Sequence, residues 1–92
     1  MKGVICQETV EAVERACIMY LNAEMTSGEL QAVLYRAEHE VVAYEERWLR
    51  ALLCEVENRI EEITFTESNE YHRASITLVV RDLLDSLRGR SN

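Results

Sequence analysis

Residues 29–63 read ELQAVLYRAEHEVVAYEERWLRALLCEVENRIEEI, and this stretch decides the fold that the sequence predicts. Its apolar side chains recur every three or four positions, which is typical of one buried face of a helix. No proline or glycine interrupts the run, so the spacing predicts a single long helix. The positions on this apolar stripe are Leu30, Val33, Leu34, Ala37, Val41, Tyr44, Trp48, Leu52, Val56, Ile60 and Ile63.

The length of this helix suggests a partner. A straight helix over residues 29–63 would extend about 50 Å, whereas a compact domain of this chain length is only ~35 Å across. The helix must therefore bend, or part of it must project and pack against another surface. A chain of 92 residues forms a small core, and self-association is a common remedy. We expect a homodimer, with an interface formed by Val41, Tyr44, Trp48, Leu52 and Val56. The lone tryptophan is interpretable equally as an anchor of the core or of the interface.

A shorter helical pattern precedes the long one. It covers residues 8–25 and is interrupted at residues 26–28. Thr26 followed by Glu29 fits a capping box, in which each side chain accepts a hydrogen bond from the other residue's backbone. A break this short makes the flanking helices antiparallel neighbours. The sequence therefore predicts an unequal antiparallel hairpin.

The C-terminal third of the chain allows two interpretations. Residues 64–66 favour a strand and residues 68–69 favour a turn, so residues 63–80 could form a β-hairpin. The later apolar spacing is helical, however, and Ser68 can cap a helix that begins near Glu70. We therefore favour a third helix over residues 70–88 and a polar tail over residues 89–92. Leu78 falls opposite the apolar stripe of that helix, where it is either exposed or part of a second contact surface.

The predicted fold class follows from these elements. It is all-α, with one domain over residues 1–92 and helices at about 8–25, 29–63 and 70–88. The arrangement is an antiparallel helical hairpin with one long helix plus a C-terminal third helix, assembled as a dimeric helical bundle.

The charge of the chain bounds its partners. The formal net charge is −7, which argues against a protein that binds phosphate backbones directly. Residues 29–63 hold nine glutamates and four arginines, a net of −5, whereas residues 64–92 balance four acidic against four basic residues. This distribution predicts either a solvated charged face or a docking face for a protein with a basic surface. The candidate partner-binding residues on the acidic face are Glu38, Glu45, Glu57, Glu61 and Glu62.

The cysteines and the hydropathy indicate the compartment. Cys6, Cys17 and Cys54 are odd in number and lack framework spacing, so we expect free thiols in a reducing cytoplasm. Cys17 lies on an apolar stripe and is interpreted as a small buried hydrophobe. No basic-then-apolar leader and no apolar run near twenty residues is present, so we expect neither secretion nor membrane association.

The sequence contains no recognisable catalytic motif. A Gly-rich phosphate loop, a nucleophile elbow and paired cysteines are all lacking. His39 has glutamates on both sides, but adjacent helical residues diverge by roughly 100° and cannot converge on one metal ion unaided. His72 likewise lacks a glutamate three positions before it. We therefore expect no catalytic residues, no cofactor and no metal site.

One short stretch resembles a known family. The sequence of Glu29-Leu30, Val33-Leu34 and Ala37-Glu38-His39 is similar to the central helix of the Hha/YmoA family of small nucleoid modulators. Cys6-Gln7 and Glu14-Arg15 also align with the family when residues are inserted, so the resemblance covers about a quarter to a third of the chain. It implies a helical fold and a regulatory role, with the family's charged partner-binding position falling on Glu38.

The functional hypothesis is a small, non-catalytic, acidic protein that binds a partner protein with a basic surface and modulates or inhibits it. One alternative is a mimic of nucleic acid that inhibits a nucleic-acid-binding enzyme or complex, of the kind found in phages and mobile elements. A second is a nucleoid modulator of the Hha/YmoA type. A small enzyme is the least supported alternative, because no residue pattern supplies a nucleophile, a general base or a cofactor site.

Overall fold

The protein is all-α throughout the part of the chain that its structure describes. The computed structural model describes residues 4–41, 46–66 and 68–91. Within these ranges it contains four helices and no strand: α1 (Val4–Leu21), α2 (Ser27–Glu40), α3 (Arg47–Thr66) and α4 (Asn69–Ser91). The all-α prediction is confirmed, and the β-hairpin alternative for residues 63–80 is wrong in the described residues. None of the described helices is long and apolar enough to cross a membrane.

The helices form an antiparallel bundle. Contacts join α1 to α2, α2 to α3, α3 to α4, and α4 back to α1, in a body of 44 × 22 × 20 Å. Thr9 Oγ1, early in α1, donates a hydrogen bond to Glu40 Oε1 at the end of α2 (3.1 Å). At the other end of the bundle, the Arg73 guanidinium on α4 donates to the carbonyl of Leu21 (3.2 Å). Since the short α3–α4 connection reverses the chain once more, neighbouring helices alternate in direction.

The single long helix predicted over residues 29–63 is wrong. Helix α2 ends at Glu40, Val41 has an extended backbone (φ −89°, ψ 100°), and α3 begins at Arg47. Val41 and Val42 are both β-branched, and each lowers helix stability by about 0.5 kcal/mol relative to alanine. A break here lets the following segment pack on the same core, where each fully buried aliphatic side chain contributes roughly 1.5–3 kcal/mol. Burial therefore outweighs the lost helical hydrogen bonds.

The restart of the helix also shifts the buried face of α3. The predicted stripe runs through Trp48 and Leu52, yet Leu49 and Leu53 are the fully buried residues of the first half of α3. Trp48 and Leu52 are half-buried beside them. Before Val56, the buried residues of α3 therefore lie one position later in the sequence than the predicted stripe. From there onward Val56 and Ile60 are buried as predicted.

The C-terminal helix is confirmed, although it is the fourth helix in order. Helix α4 covers Asn69–Ser91 and so extends three residues beyond the predicted 70–88. Its predicted apolar stripe is buried in the common core, and Leu78, on the opposite side, is exposed over 65% of its surface. The buried residues of α4 are Ile76, Val79, Val80, Leu83, Leu84 and Leu87.

The predicted capping box at the start of α2 is confirmed. The Glu29 amide donates to Thr26 Oγ1 (3.1 Å), and the Thr26 amide donates to Glu29 Oε1 (2.9 Å). These two bonds satisfy two of the amides that a helix start leaves unpaired. Helix α1 ends at Leu21, earlier than the predicted residue 25.

Candidate functional site

Three glutamates interact where α2 and α3 meet. Glu38 occupies the last turn of α2, and Glu57 lies near the middle of α3. Glu38 contributes to the electrostatic environment of Glu57, as does Glu61, which follows Glu57 by four residues on the same side of α3. Their neighbours Val56 and Ile60 are buried, so packing of α3 fixes this side of the helix against α2. We call Glu38, Glu57 and Glu61 the acidic cluster.

Glu57 is the most perturbed carboxyl of the acidic cluster. Its Oε2 atom is buried and has no hydrogen-bond partner among the described residues. Burial raises its pKa above the ordinary glutamate value, and the negative charge of Glu38, a hydrogen bond with Glu38 and the charge of Glu61 raise it further. Two ionised carboxylates have no proton to share, so that hydrogen bond forms only when one of them is protonated.

His39 lies beside the acidic cluster. Its ring acts in the opposite direction and lowers the pKa of Glu57. The ring is held by Tyr35: His39 Nδ1 donates to the Tyr35 carbonyl (2.9 Å), and the two ring centroids are 4.3 Å apart. Because Nδ1 is occupied by this hydrogen bond, Nε2 is the remaining polar atom of the exposed ring. In the described residues, no group of three or more His, Cys, Asp or Glu side chains is arranged to hold a metal ion.

The other two predicted acidic residues lie elsewhere. Glu62 lines a groove between α3 and α4, together with Arg59, Ser75 and Leu78. It therefore faces away from the α2 side of α3 and does not belong to the acidic cluster. Glu45 lies outside the described residues. The structure brings together three of the five predicted partner-binding residues, and it adds the exposed His39 beside them.

The predicted dimer interface is largely internal to the single chain. Val41 and Val56 are 1% and 5% exposed, and Trp48 and Leu52 are half-buried against the same core. Tyr44 lies outside the described residues. The chain's own packing therefore accounts for the apolar character of the described positions, and Trp48 packs as an anchor of the core. The homodimer stays a prediction, but its original basis, a projecting helix, is gone.

The α3–α4 side of the molecule carries an apolar surface that sequence reasoning only touched upon. Leu78 is 65% exposed and Tyr71, two turns earlier on α4, is 59% exposed. The groove beside Leu78 has a volume of about 240 Å³. The seven-residue interval between Tyr71 and Leu78 was the available signal, because residues at i and i+7 share one face of a helix. We call the surface formed by Tyr71, Leu78, Arg59 and Glu62 the α3–α4 face.

The described thiols differ in environment. Cys17 is completely buried, and burial, with a smaller contribution from the charge of Glu14, raises the pKa of its thiol to about 12. Its interpretation as a buried hydrophobe is confirmed. Cys54 is half-buried and free, and Asn58 Nδ2 donates a weak hydrogen bond to its Sγ atom (3.8 Å). The side chain of Cys6 lies outside those that the structure describes.

Comparison with known proteins assigns no family. No protein-family model matches the chain, and neither a curated protein nor a solved structure matches it. The likeness of residues 29–39 to the Hha/YmoA family therefore remains a resemblance over a short motif. A functional conclusion has to come from the acidic cluster and the α3–α4 face themselves.

Proposed function

We propose that this chain is a non-catalytic protein that binds a basic partner protein through the acidic cluster and thereby modulates the partner. The observation that carries the proposal is Glu57 Oε2, a buried carboxylate oxygen without a hydrogen-bond partner beside a second carboxylate. An arrangement of like charges on two packed helices lowers stability. Such perturbed groups cluster at functional sites, although structural networks also produce them.

A guanidinium from the partner supplies what the acidic cluster lacks. Arginine presents its donors in a planar fork, so one side chain can reach two carboxylate oxygens at once. Placed beside Glu38 and Glu57, it would donate to the accessible part of these half-buried carboxylates and neutralise the repulsion between them. The gain is larger than at an isolated surface pair, because the free protein already carries the unfavourable interaction that binding removes.

This mode of binding predicts a coupling to pH. In the free protein, the pKa of Glu57 is raised; a cation at the acidic cluster lowers it again. Binding therefore releases a proton over the pH range in which Glu57 titrates in the free protein. Affinity should rise with increasing pH through that range and level off above it. If the partner instead bound through fully exposed carboxylates, the affinity would change with pH over the ordinary titration range of a glutamate.

The direct test is a titration with a hexa-arginine peptide, followed by backbone amide NMR. We expect the largest shifts at residues of α2 and α3 around Glu38 and Glu57, and about tenfold weaker binding by the Glu38→Gln/Glu57→Gln variant, a loss of ~1.4 kcal/mol. The matched control is Glu8→Gln/Glu11→Gln, which removes the same charge from exposed positions on α1. A peptide with citrulline in place of arginine controls for shape. Equal loss in both variants would show that only net charge matters, and would refute the proposal.

The partner can then be identified with the same variants. Immobilised wild-type protein and the α1 control should both capture it from source-cell lysate, whereas Glu38→Gln/Glu57→Gln should not. The activity of the captured protein is then measured with and without this chain. If duplex DNA displaces the captured partner from this chain, the docking site lies in a nucleic-acid groove of the partner, as the mimicry alternative requires. The free thiols of Cys17 and Cys54 favour a reducing compartment such as the cytoplasm for this encounter.

A further inference from the structure

The exposed apolar side chains are concentrated in the C-terminal part of the chain. Large hydrophobic residues are exposed at five described positions, and three of them, Phe65, Tyr71 and Leu78, fall within residues 64–92. Tyr71 and Leu78 lie on one stripe of α4, and Leu78 borders the groove beside α3. Scattered single exposed hydrophobics need no explanation, whereas a stripe beside a groove is typical of a contact surface.

The charge of this region distinguishes it from the rest of the molecule. The whole chain carries −7, but residues 64–92 hold four arginines and four acidic residues and are therefore neutral. The α2–α3 side carries the acidic cluster, so two copies that met there would bring like charges together. Two copies of an acidic chain meet with less repulsion where the neutral segment of residues 64–92, which includes α4, forms part of the contact. Charge therefore favours the α3–α4 face as the surface that a second copy covers.

The groove is also complementary to itself. Arg59 and Glu62 both line it, one turn apart on α3, beside Leu78. In a two-fold symmetric contact the same surface meets its own copy, so each residue of one copy can face a different residue of the other. A surface that holds one cation, one anion and one apolar side chain can then pair Arg59 with Glu62 twice. Leu78 of each copy would fill the space in the groove of the other.

We propose that the α3–α4 face is a homodimer interface, with Leu78 at its centre and Arg59–Glu62 pairs on both sides of it. This interface replaces the apolar stripe from Val41 to Val56, because Val41 and Val56 are almost completely buried within one chain. The acidic cluster lies on the α2 side of α3 and stays accessible in both copies. The dimer is consequently bivalent, and a partner with two basic sites would gain affinity from simultaneous engagement.

The first test uses sedimentation equilibrium over a concentration series. Leu78→Glu should raise the dimer dissociation constant by about a hundredfold, since it places two carboxylates at the centre of the contact. Ile18→Glu is the matched control, because Ile18 is an exposed hydrophobic on α1 and should leave the dissociation constant unchanged within about twofold. Circular dichroism checks that both variants remain helical. A wild-type protein that is monomeric up to millimolar concentration, or equal effects of the two variants, would overturn the proposal.

The second test exchanges the charges. Arg59→Glu leaves only glutamates at these two positions, and Glu62→Arg leaves only arginines, so each variant alone should dimerise about tenfold more weakly than wild type. Mixed together, the two variants should form a heterodimer that is tighter than either homodimer. Native mass spectrometry of the mixture, with one variant isotopically labelled, distinguishes the three species. A statistical mixture, or a preference for homodimers, would contradict the proposed pairing.

Discussion

The two chain reversals on either side of α2 are built differently. Between Leu21 and Ser27, the backbone is held by bonds within the turn itself: the Glu24 amide donates to the Met19 carbonyl (2.8 Å) and the Ala23 amide to the Tyr20 carbonyl (3.0 Å). The capping box of Thr26 and Glu29 then starts α2. After Glu40, the described local contact is a longer bond, from the Val41 amide to the Glu38 carbonyl (3.4 Å).

Bonds within the turn specify the first reversal, whereas the described residues that flank the second reversal, such as Val41 and Leu49, are buried in the common core. Paired bonds from C″ to C3 and from C′ to C2 form a Schellman motif, which ends a helix whatever follows it. Val41 is 1% exposed, and Leu49 and Leu53, which follow the break, are completely buried. Mutations should therefore affect the two reversals through different residues.

The largest effect is expected in the core that supports the second reversal. Leu53→Ala should lower the free energy of unfolding by about 2–5 kcal/mol, because it removes a fully buried side chain and leaves a cavity. Leu52→Ala should cost roughly 1 kcal/mol, since Leu52 is only half-buried. Urea denaturation measures both values. If Leu52→Ala were the more damaging, the buried face of α3 would instead follow the uninterrupted helical period from residue 29.

The same contrast explains what the sequence could predict. The capping box and the apolar stripe of α4 depend on residues that are close together in the chain, and both are present in the structure. The end of α2 at Glu40 could not be read in this way, because Val41 and Val42 are only weak helix breakers and no glycine or proline marks the position. Tertiary burial decided it.

The acidic cluster shows the same limit at the level of the site. Composition identified its glutamates as an acidic surface, but Glu38 and Glu57 are nineteen positions apart, and only the break after Glu40 makes α2 and α3 neighbours that face each other. A continuous helix would have placed the two carboxylates about 28 Å apart at 1.5 Å per residue. Their interaction is thus a consequence of the element that the sequence did not reveal.

The capping box should give the next largest effect. Thr26→Ala removes the side-chain acceptor for the Glu29 amide and should cost about 1 kcal/mol of stability, within the 0.5–2 kcal/mol typical of such caps. Glu29→Gln is the matched control, because glutamine at the third position retains the reciprocal bond. Thermal unfolding of the two variants in parallel compares their stabilities with that of the wild type. A cost for Glu29→Gln as large as for Thr26→Ala would mean that charge, rather than capping, holds this turn.

Ala23 offers a stabilising change at the first reversal. Its φ angle is 63°, in the left-handed region, and it is the one non-glycine residue with positive φ in the described part of the chain. Glycine is the usual residue at this position of a Schellman motif. Ala23→Gly should therefore raise stability by up to about 1 kcal/mol, after the greater unfolded-state entropy of glycine is subtracted. Asn22→Gly, one position earlier, should not stabilise, and a gain there would point to loss of an unrelated unfavourable contact.

The smallest expected effect concerns Glu57, at the helix pair that the second reversal creates. Burial, followed by the charge of Glu38, raises the pKa of Glu57 in the folded protein. Between the unfolded value, about 4.3, and the raised folded value, the folded state binds more protons than the unfolded state. The slope of unfolding free energy against pH is then negative, so this group's contribution to stability is lost as pH rises through that interval. Solvent screening keeps the effect modest, because the side chain is only partly buried.

Glu57→Gln should consequently shift the urea midpoint upward at pH values above the range in which wild-type Glu57 titrates. The difference between the two proteins should shrink as the pH falls through that range, because wild-type Glu57 then takes up a proton and resembles glutamine. Carboxyls remote from Glu57 have the same surroundings in both proteins, so their contributions cancel in the difference. Glu62→Gln is the control, because Glu62 lies at the α3–α4 groove beside Arg59 rather than in the acidic cluster. A difference for Glu57→Gln that is constant across the pH series would assign its effect to packing, and Glu57 would then lack the electrostatic strain on which partner binding is proposed to rest.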